Sequence, residues 1–525
     1  VGSTSGSAVS RKTSVVAAGI FAVVLAAALW FTASARAAET LYWDNYNEGT
    51  ISNANIDGSG GGPLNLTGIA LENPEGMAYD SITNRLFVAN SSGGPGGKGE
   101  IDYVNLDGSG AGVLSTPGAP IDDPVGIAVD PVARRAYWVN DGTTGSIAYA
   151  NLDGSGGGLL NTTGATVDGP YRLGFDPVAG RIYWGNSPGP GPETISFANT
   201  NNSGGGNLDL TGATPAEGVD GFAVDPAGGR LYWINDGTTF EGIAFASLGG
   251  GSGGHLSVAG GRFMGPYGLA FDPALGRLYW ANYDGGSPER LGALGFLNLG
   301  GGAGNINIAT APVKGPQDPV ILKSPSGTGA PAATRSAKSR SRLECSSGSW
   351  AVDYPGSYVY QAPRSIAYQW TRNGVPVAGA TATSYNAKSA GSYACVVTAT
   401  NQTGTGSQTS AAVKVKSAKV KLSVKKKTTV KAGGVAKFTV KGVNLGDIQS
   451  RKARICVKLP KSAKGALKAP KCKTLGKLKG RGKHGATLKV KVGKAADGTY
   501  KVTFTVHGSA GTSSTAKILV VSPKK

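Results

Sequence analysis

Histidine is almost missing from this chain: His255, His484 and His507 are the only three among 525 residues. Three imidazoles leave little for histidine acid-base catalysis or for a histidine metal site. Cysteine is scarce as well. The four that occur all follow residue 344, and none stands at CxxC spacing that would suggest zinc. Amphipathic helical periodicity is lacking outside the first 37 residues, which excludes a helical bundle. Glycine, by contrast, accounts for 84 residues while hydrophobic residues hold at 40%, a balance that fits an all-β chain with many tight turns better than disorder.

Residues 1–37 have the pattern of an export leader: Arg11 and Lys12, an apolar run from Val15 to Phe31, then Ala35-Arg36-Ala37 as a small-residue cleavage site. Cleavage before Ala38 is expected, and an uncleaved membrane anchor is the alternative, because the apolar run is just long enough to span a bilayer. In both cases the remainder is expected outside the cytoplasm. There the even number of cysteines predicts two disulfides, Cys345 with Cys395 and Cys456 with Cys472, rather than metal or nucleophile roles.

A short string recurs through the first half: LYWDN at 41, LFVAN at 86, AYWVN at 136, IYWGN at 182, LYWIN at 231 and LYWAN at 278. The spacing of 45 to 50 residues is the length of one four-stranded propeller blade. Each of the last five copies follows a strand-like segment and a tight turn, as in GLAFDPALGR, and most precede a hairpin such as SIAYANLDGSGGGLL. Small residues (Ala78, Ala128, Gly174, Ala223, Ala270) sit at the centre of these inner segments, as crowding at a propeller axis requires. The first copy has no such segment before it. The missing strand is expected in GPQDPVILK, residues 315–323, with Val320–Leu322 pairing Leu41–Trp43 to close the ring and remove an open edge.

The Tyr-Trp strands resemble the YWTD repeats, the low-density-lipoprotein-receptor class B repeats, which form six-bladed β-propellers on extracellular receptors. The likeness covers residues 41 to about 323 and implies that Trp43, Trp138, Trp184, Trp233 and Trp280 are structural. Where that family has Thr-Asp, this chain has a variable residue and then Asn45, Asn90, Asn140, Asn186, Asn235 or Asn282, so a shape-dependent role at the strand end is kept and a charge is lost. Phe87-Val88 replaces Tyr-Trp in the second copy. EGF-like modules are absent, so receptor ligands are not carried over.

Variable loops after the Tyr-Trp strands share one face of such a ring, and a rigid scaffold commonly presents function there. Tyr46, Asp141, Asp236, Phe240, Tyr283 and Asp284 are therefore the candidate binding residues. Asp80, Asp130, Asp176, Asp225 and Asp272 end the inner strands, with an arginine five positions on. Five equal copies favour a turn brace, by capping or by pairing with that arginine, over an ion-binding ring. Gly250–Gly254 matches G-x-S-x-G beside His255, but in a glycine-rich hairpin rather than between strand and helix. Six-bladed lactonases hold an axial metal on inward carboxylates, and no such set stands out on these inner segments.

After Lys323 the composition turns Pro-, Ser- and Ala-rich and reads as a linker. The following pattern of Cys345, Trp370 and Tyr393-Ala394-Cys395 resembles an immunoglobulin-like domain, which implies a bridging disulfide, a tryptophan packed on it and a tyrosine corner. Residues 417–525 carry 28 Lys and Arg against Asp447 and Asp497, a net of +26 in a chain whose total is +20. Lysines alternate there with Val, Leu and Phe, which puts charge on one sheet face. The segment resembles small lysine-rich β-sandwiches at the ends of exported bacterial surface proteins. No aromatic platform interleaves the lysines, so anionic envelope polymers are favoured over nucleic acid, while lysines guarding sheet edges need no partner at all.

The predicted fold is all-β: a six-bladed β-propeller closed by N- and C-terminal strands, then an Ig-like β-sandwich and a basic β-sandwich. The expected divisions are a leader at 1–37, the propeller at 38–323, a linker at 324–342, the Ig-like domain at 343–416 and the lysine-rich domain at 417–525. The expected function is that of an exported, non-enzymatic cell-surface or secreted binding or adhesion protein. Its propeller would take a protein or glycan, and its basic domain would associate with anionic cell-wall polymer, with no cofactor and no metal. The alternative is a propeller enzyme (a lactonase, lyase or hydrolase) with its active site in the axial channel.

Overall fold

The computed structural model describes residues 39–189, 193–213, 216–237, 239–283 and 293–521; the leader and Asp284 lie outside the described residues. The chain divides into two compact units. The first comprises residues up to Pro325 together with Val352–Ala362 and Asn401–Thr405, and the second comprises Ser326–Ala351, Pro363–Thr400 and the chain from Gly406 onward.

The first unit is a β-propeller of six sheets. Five run in chain order from an inner strand outward, with inner strands Pro74–Asp80, Pro124–Asp130, Pro170–Asp176, Val219–Asp225 and Pro266–Asp272. Blade one is the exception and closes the ring. Its inner strand, Val320–Lys323, comes from the far end of the repeat and pairs antiparallel with Glu39–Asn45, Leu41 opposite Ile321 and Tyr42 opposite Val320. Closure thus occurs where the repeat pattern placed it, one residue nearer the N-terminus than the expected pairing. Leu322 stands where the other inner strands end in Asp, and the ammonium of the next residue, Lys323, lies 2.6 Å from Asp272 of blade six.

The Tyr-Trp strands are apolar on both faces because each blade is sandwiched between two others. Trp43, Trp138, Trp184, Trp233 and Trp280 are fully buried. All six asparagines at the strand ends do the same work. Each side-chain oxygen accepts the backbone N–H of the loop entering its own blade, from Lys314, Glu72, Asp122, Asp168, Glu217 and Met264, at 2.7 to 3.1 Å. An amide suffices, since this bond needs an acceptor and no charge.

The inner-strand aspartates cap their turns: Asp130 accepts the N–H of Val132 and Ala133, and Asp176 that of Val178 and Ala179. The arginines five positions on lie instead over rings of the third strand, Arg85 on Tyr103, Arg135 on Tyr149 and Arg181 on Phe197, at 4.1 to 4.6 Å. The brace is therefore a capped turn, and pairing within the hairpin plays no part in these blades. Gly250–Gly254 forms the turn between strands Glu241–Ser247 and Gly254–Leu256, with no helix after it.

In the second unit, strands Ala333–Arg335, Arg342–Cys345 and Ser384–Asn386 form one sheet, and Ser365–Arg372 pairs with Gly391–Asn401 in another. The Cys345–Cys395 disulfide joins them. Buried Trp370 lies in register with Cys395, and the Tyr393 hydroxyl donates to the Ser389 carbonyl at 2.8 Å. Residues 324–342 are not a plain linker. Gly327–Gly329 and Ala333–Arg335 are strands whose partners, near Trp350 and Cys345, lie downstream, and their small residues carry no alternating pattern that would reveal them.

Farther on, two sheets face each other around Phe438, Val440, Ile455, Leu488, Val490 and Phe504. One contains Val420–Val424, Val435–Asn444, Lys483–Val492 and Leu467–Lys468 in the order first, second, third, fourth. The Cys456–Cys472 disulfide ties the antiparallel strands Ala453–Lys458 and Lys473–Gly476.

Candidate functional site: the propeller axis

Every inner strand has an irregular step just after it enters the ring, at the point where neighbouring backbones nearly touch. In four blades the residue there is Gly76, Gly126, Gly221 or Gly268. A Cβ on Gly76 would meet the Gly126 Cα at 2.8 Å, and one on Gly268 would meet the Asp318 Cα at 2.4 Å. Two blades break this glycine column: Arg172 in blade four and Asp318 in blade one. Arg172 keeps the left-handed backbone, φ 53°, that Gly126 and Gly268 adopt. For a residue with a Cβ that conformation costs about 1–2 kcal/mol.

The strain places a guanidinium across the axis. Arg172 is 1% exposed. It donates to Asp220 at 2.9 Å, Asp318 at 3.0 Å, Gln317 at 2.7 Å and the Glu75 carbonyl at 3.0 Å. These partners belong to blades one, two and five, so a single side chain ties together blades on both sides of the channel. Tyr171 donates to the Glu75 carboxylate at 3.2 Å, and the Arg172 guanidinium lies about 5 Å from the Tyr171 and Tyr267 rings.

One cation faces four carboxyls. Burial pushes Asp44, Glu75, Asp220 and Asp318 up, with Arg172 opposing in each case, and Asp220 is raised to about 7. Asp44 Oδ2 accepts the Gly76 N–H at 3.2 Å, whereas its fully buried Oδ1 has no hydrogen-bond partner. Inward carboxylates are therefore present on or beside the inner strands, contrary to the sequence reading. They were legible only as departures from repeat columns: Asp44 among Ala89, Val139, Gly185, Ile234 and Ala281, and Arg172 and Asp318 among glycines. The set does not fit a metal. Arg172 occupies the point where the carboxylates converge, and among the described residues no three His, Cys, Asp or Glu side chains are grouped to hold an ion.

Above Arg172 the mouth is aromatic and acidic. Tyr283 meets Tyr46 edge-on at 5.7 Å and Tyr267 at 5.5 Å. Exposed Asp141 is pushed up to about 6 by partial burial, with the Asp123 and Glu75 charges beside it. Exposed Asp236 is also raised, by burial and by Glu241, and its field reaches Tyr267. Of the predicted binding residues, Tyr46, Asp141, Asp236 and Tyr283 thus converge on the axis. Phe240 does not: it stacks on His255 of the outermost strand of blade five, at 4.1 Å.

The other end of the axis is filled by Val352–Ala362, which the sequence reading had assigned to the Ig-like domain. Val359–Tyr360 pairs in parallel with the closing strand Val320–Lys323. The Tyr358 hydroxyl donates to the Leu173 carbonyl at 3.0 Å, Ser357 donates to the Val224 carbonyl, and Tyr360 packs on Tyr79 at 4.8 Å.

No protein-family model matches this chain, and no curated protein matches it. Solved β-propellers do. The crystal structure of a nidogen/laminin complex aligns at 16% identity over 54% of this chain and 98% of the other, with a TM-score of 0.41. A putative TolB from Agrobacterium tumefaciens aligns at 12% identity over 51% and 88%, TM-score 0.36. A gluconolactonase from Xanthomonas campestris aligns at 15% over 60% and 95%, TM-score 0.36. At these identities the likeness concerns the fold alone. Two formed disulfides fit an extracytoplasmic address, and among the described residues no helix is long and apolar enough to cross a membrane.

Proposed function

We propose that this is an exported, non-enzymatic binding protein whose propeller mouth takes a cationic group of a protein or glycan partner. The observation that carries the reading is the ring of Tyr46, Tyr267 and Tyr283 with Asp123, Asp141 and Asp236 around an axis sealed by Arg172. Aromatic faces and carboxylates together favour an ammonium or guanidinium over an anion. Between residues 38 and 323, 28 Asp and Glu outnumber 12 Lys and Arg, so the propeller's field attracts such a partner as well. The leader exports the chain and is removed, the Cys345–Cys395 module is an Ig-like spacer, and the basic module holds the protein on anionic envelope polymer.

Probing a glycan and surface-protein array with the full chain tests this. Ligands rich in amino groups should bind, and Asp141→Asn with Asp236→Asn should weaken them about tenfold or more, the scale of two lost charge contacts. Equal binding by the variant would sink the reading. High-salt washing of intact cells tests the anchorage, because a protein that stays bound is not held by lysines. A second reading, hydrolysis at the axis, draws on the raised Glu75 and Asp220 carboxyls and predicts lactone turnover that Glu75→Gln abolishes.

A further inference from the structure

The charge of the C-terminal module is arranged in rows. On the sheet built from Val420–Val424, Val435–Asn444, Lys483–Val492 and Leu467–Lys468, Lys437 stands directly opposite Lys489, and Lys468 opposite Lys491. All four are exposed, and Lys441 adds a third row opposite Ser423 and Gly485. Neighbouring strands lie about 4.8 Å apart, and like charges directly opposite each other destabilise a sheet. Acids are scarce around them: of the two after residue 416, Asp447 is engaged by Arg335 and Arg340, and Asp497 accepts the Gly498 N–H.

Guarding an edge does not account for all of these lysines. Lys441 is flanked on both sides, by Ser423 and Gly485, and so is Lys491, by Val435 and Lys468, whereas Lys437 and Lys489 pair only with each other. The charges at Lys441 and Lys491 are therefore a cost to folding that edge protection does not explain. Between the lysine rows stand Thr439 and Thr487, with their hydroxyls 3.4 Å apart. Phe438 and Phe504 point into the core, so the face offers bases no ring to stack on.

We propose that this outer face is the docking surface for a linear acidic polysaccharide, its anionic groups on the lysine rows and its hydroxyls on the threonines between them. The proposal rests on the reading that the basic module holds an anionic polymer, and it names the face and the chemistry. Immobilised polygalacturonate and a thymidine oligonucleotide serve as probes for the full chain. The face variant Lys437→Gln/Lys489→Gln/Lys491→Gln is compared with a loop variant of equal charge, Lys461→Gln/Lys464→Gln/Lys494→Gln. The face variant should bind polygalacturonate about tenfold or more weakly and the loop variant less than about threefold, because contact charges lose more than distant, screened ones. The face variant should also melt higher than the parent in low salt, with the difference fading as salt rises, and Thr439→Val/Thr487→Val should weaken the polysaccharide alone. Equal losses in the two lysine variants would mean that net charge acts without a defined face, and the proposal would fall while the anionic-polymer reading stood. Stronger binding of the oligonucleotide, lost in the face variant, would assign the face to nucleic acid instead. Binding of neither probe by the parent would overturn both readings.

Discussion

Replacing Arg172 with glycine restores the repeat at the one position of the axial glycine column where a left-handed backbone carries a long side chain. Two effects oppose each other. The backbone regains about 1–2 kcal/mol of strain, while removing one partner of a buried ion pair costs about 3–5 kcal/mol because the remaining charges are left uncompensated. The net expectation at pH 8 is a loss of about 1–4 kcal/mol, seen as a lower urea midpoint at unchanged slope. The loss should depend on pH in a defined direction. Asp220 and Asp318 have folded-state values raised above their unfolded ones by burial, so the stability of their protonated forms is full below about pH 4 and fades as pH rises, through about 7 for Asp220. Without Arg172 those values rise further, and the variant should approach the parent as the pH is lowered toward 5. A variant as stable as the parent at pH 8, or equally impaired at pH 5 and pH 8, would refute the view that Arg172 is an electrostatic keystone.

Three further predictions concern single contacts. Asp102 occupies, in the blade that lacks the tryptophan, the place held by Ser52 and Ser196 in blades one and four; it is fully buried, its Oδ1 is unpartnered, and it is pushed up to about 7. Asp102→Ser should stabilise the protein by about 2–4 kcal/mol at pH 8 and give no gain near pH 4, since the raised group withdraws stability only as it ionises; denaturation across pH checks this. Tyr360→Ala should cost about 3–5 kcal/mol, as for other buried aromatics, and should speed hydrogen exchange in Pro170–Asp176 and Val219–Asp225, which are distant from it in sequence. Asn282→Ala removes the acceptor for the Met264 N–H and should cost about 1–3 kcal/mol in the same unfolding assay.

The recurrence at blade spacing of Tyr-Trp-x-Asn, five times, and of Phe-Val-x-Asn once determined the propeller, the identity of its buried tryptophans and the strand that closes it, because those depend on a repeated local pattern. Alternation likewise placed the lysines of residues 417–525 on exposed faces. Tertiary structure alone decided the axis. Arg172, Asp44, Glu75, Asp220 and Asp318 come from blades one, two, four and five, and they become a cluster only when the ring closes. Val352–Ala362 carries no signal of its own for the channel, since its partners are the Leu173 and Val224 carbonyls, which any sequence would offer. The lysine rows followed the same rule: alternation shows which face a lysine takes, but only strand register shows that Lys437 stands opposite Lys489. Local periodicity is written in neighbouring residues, whereas the charges that meet across an axis or a ladder are set by how distant strands align.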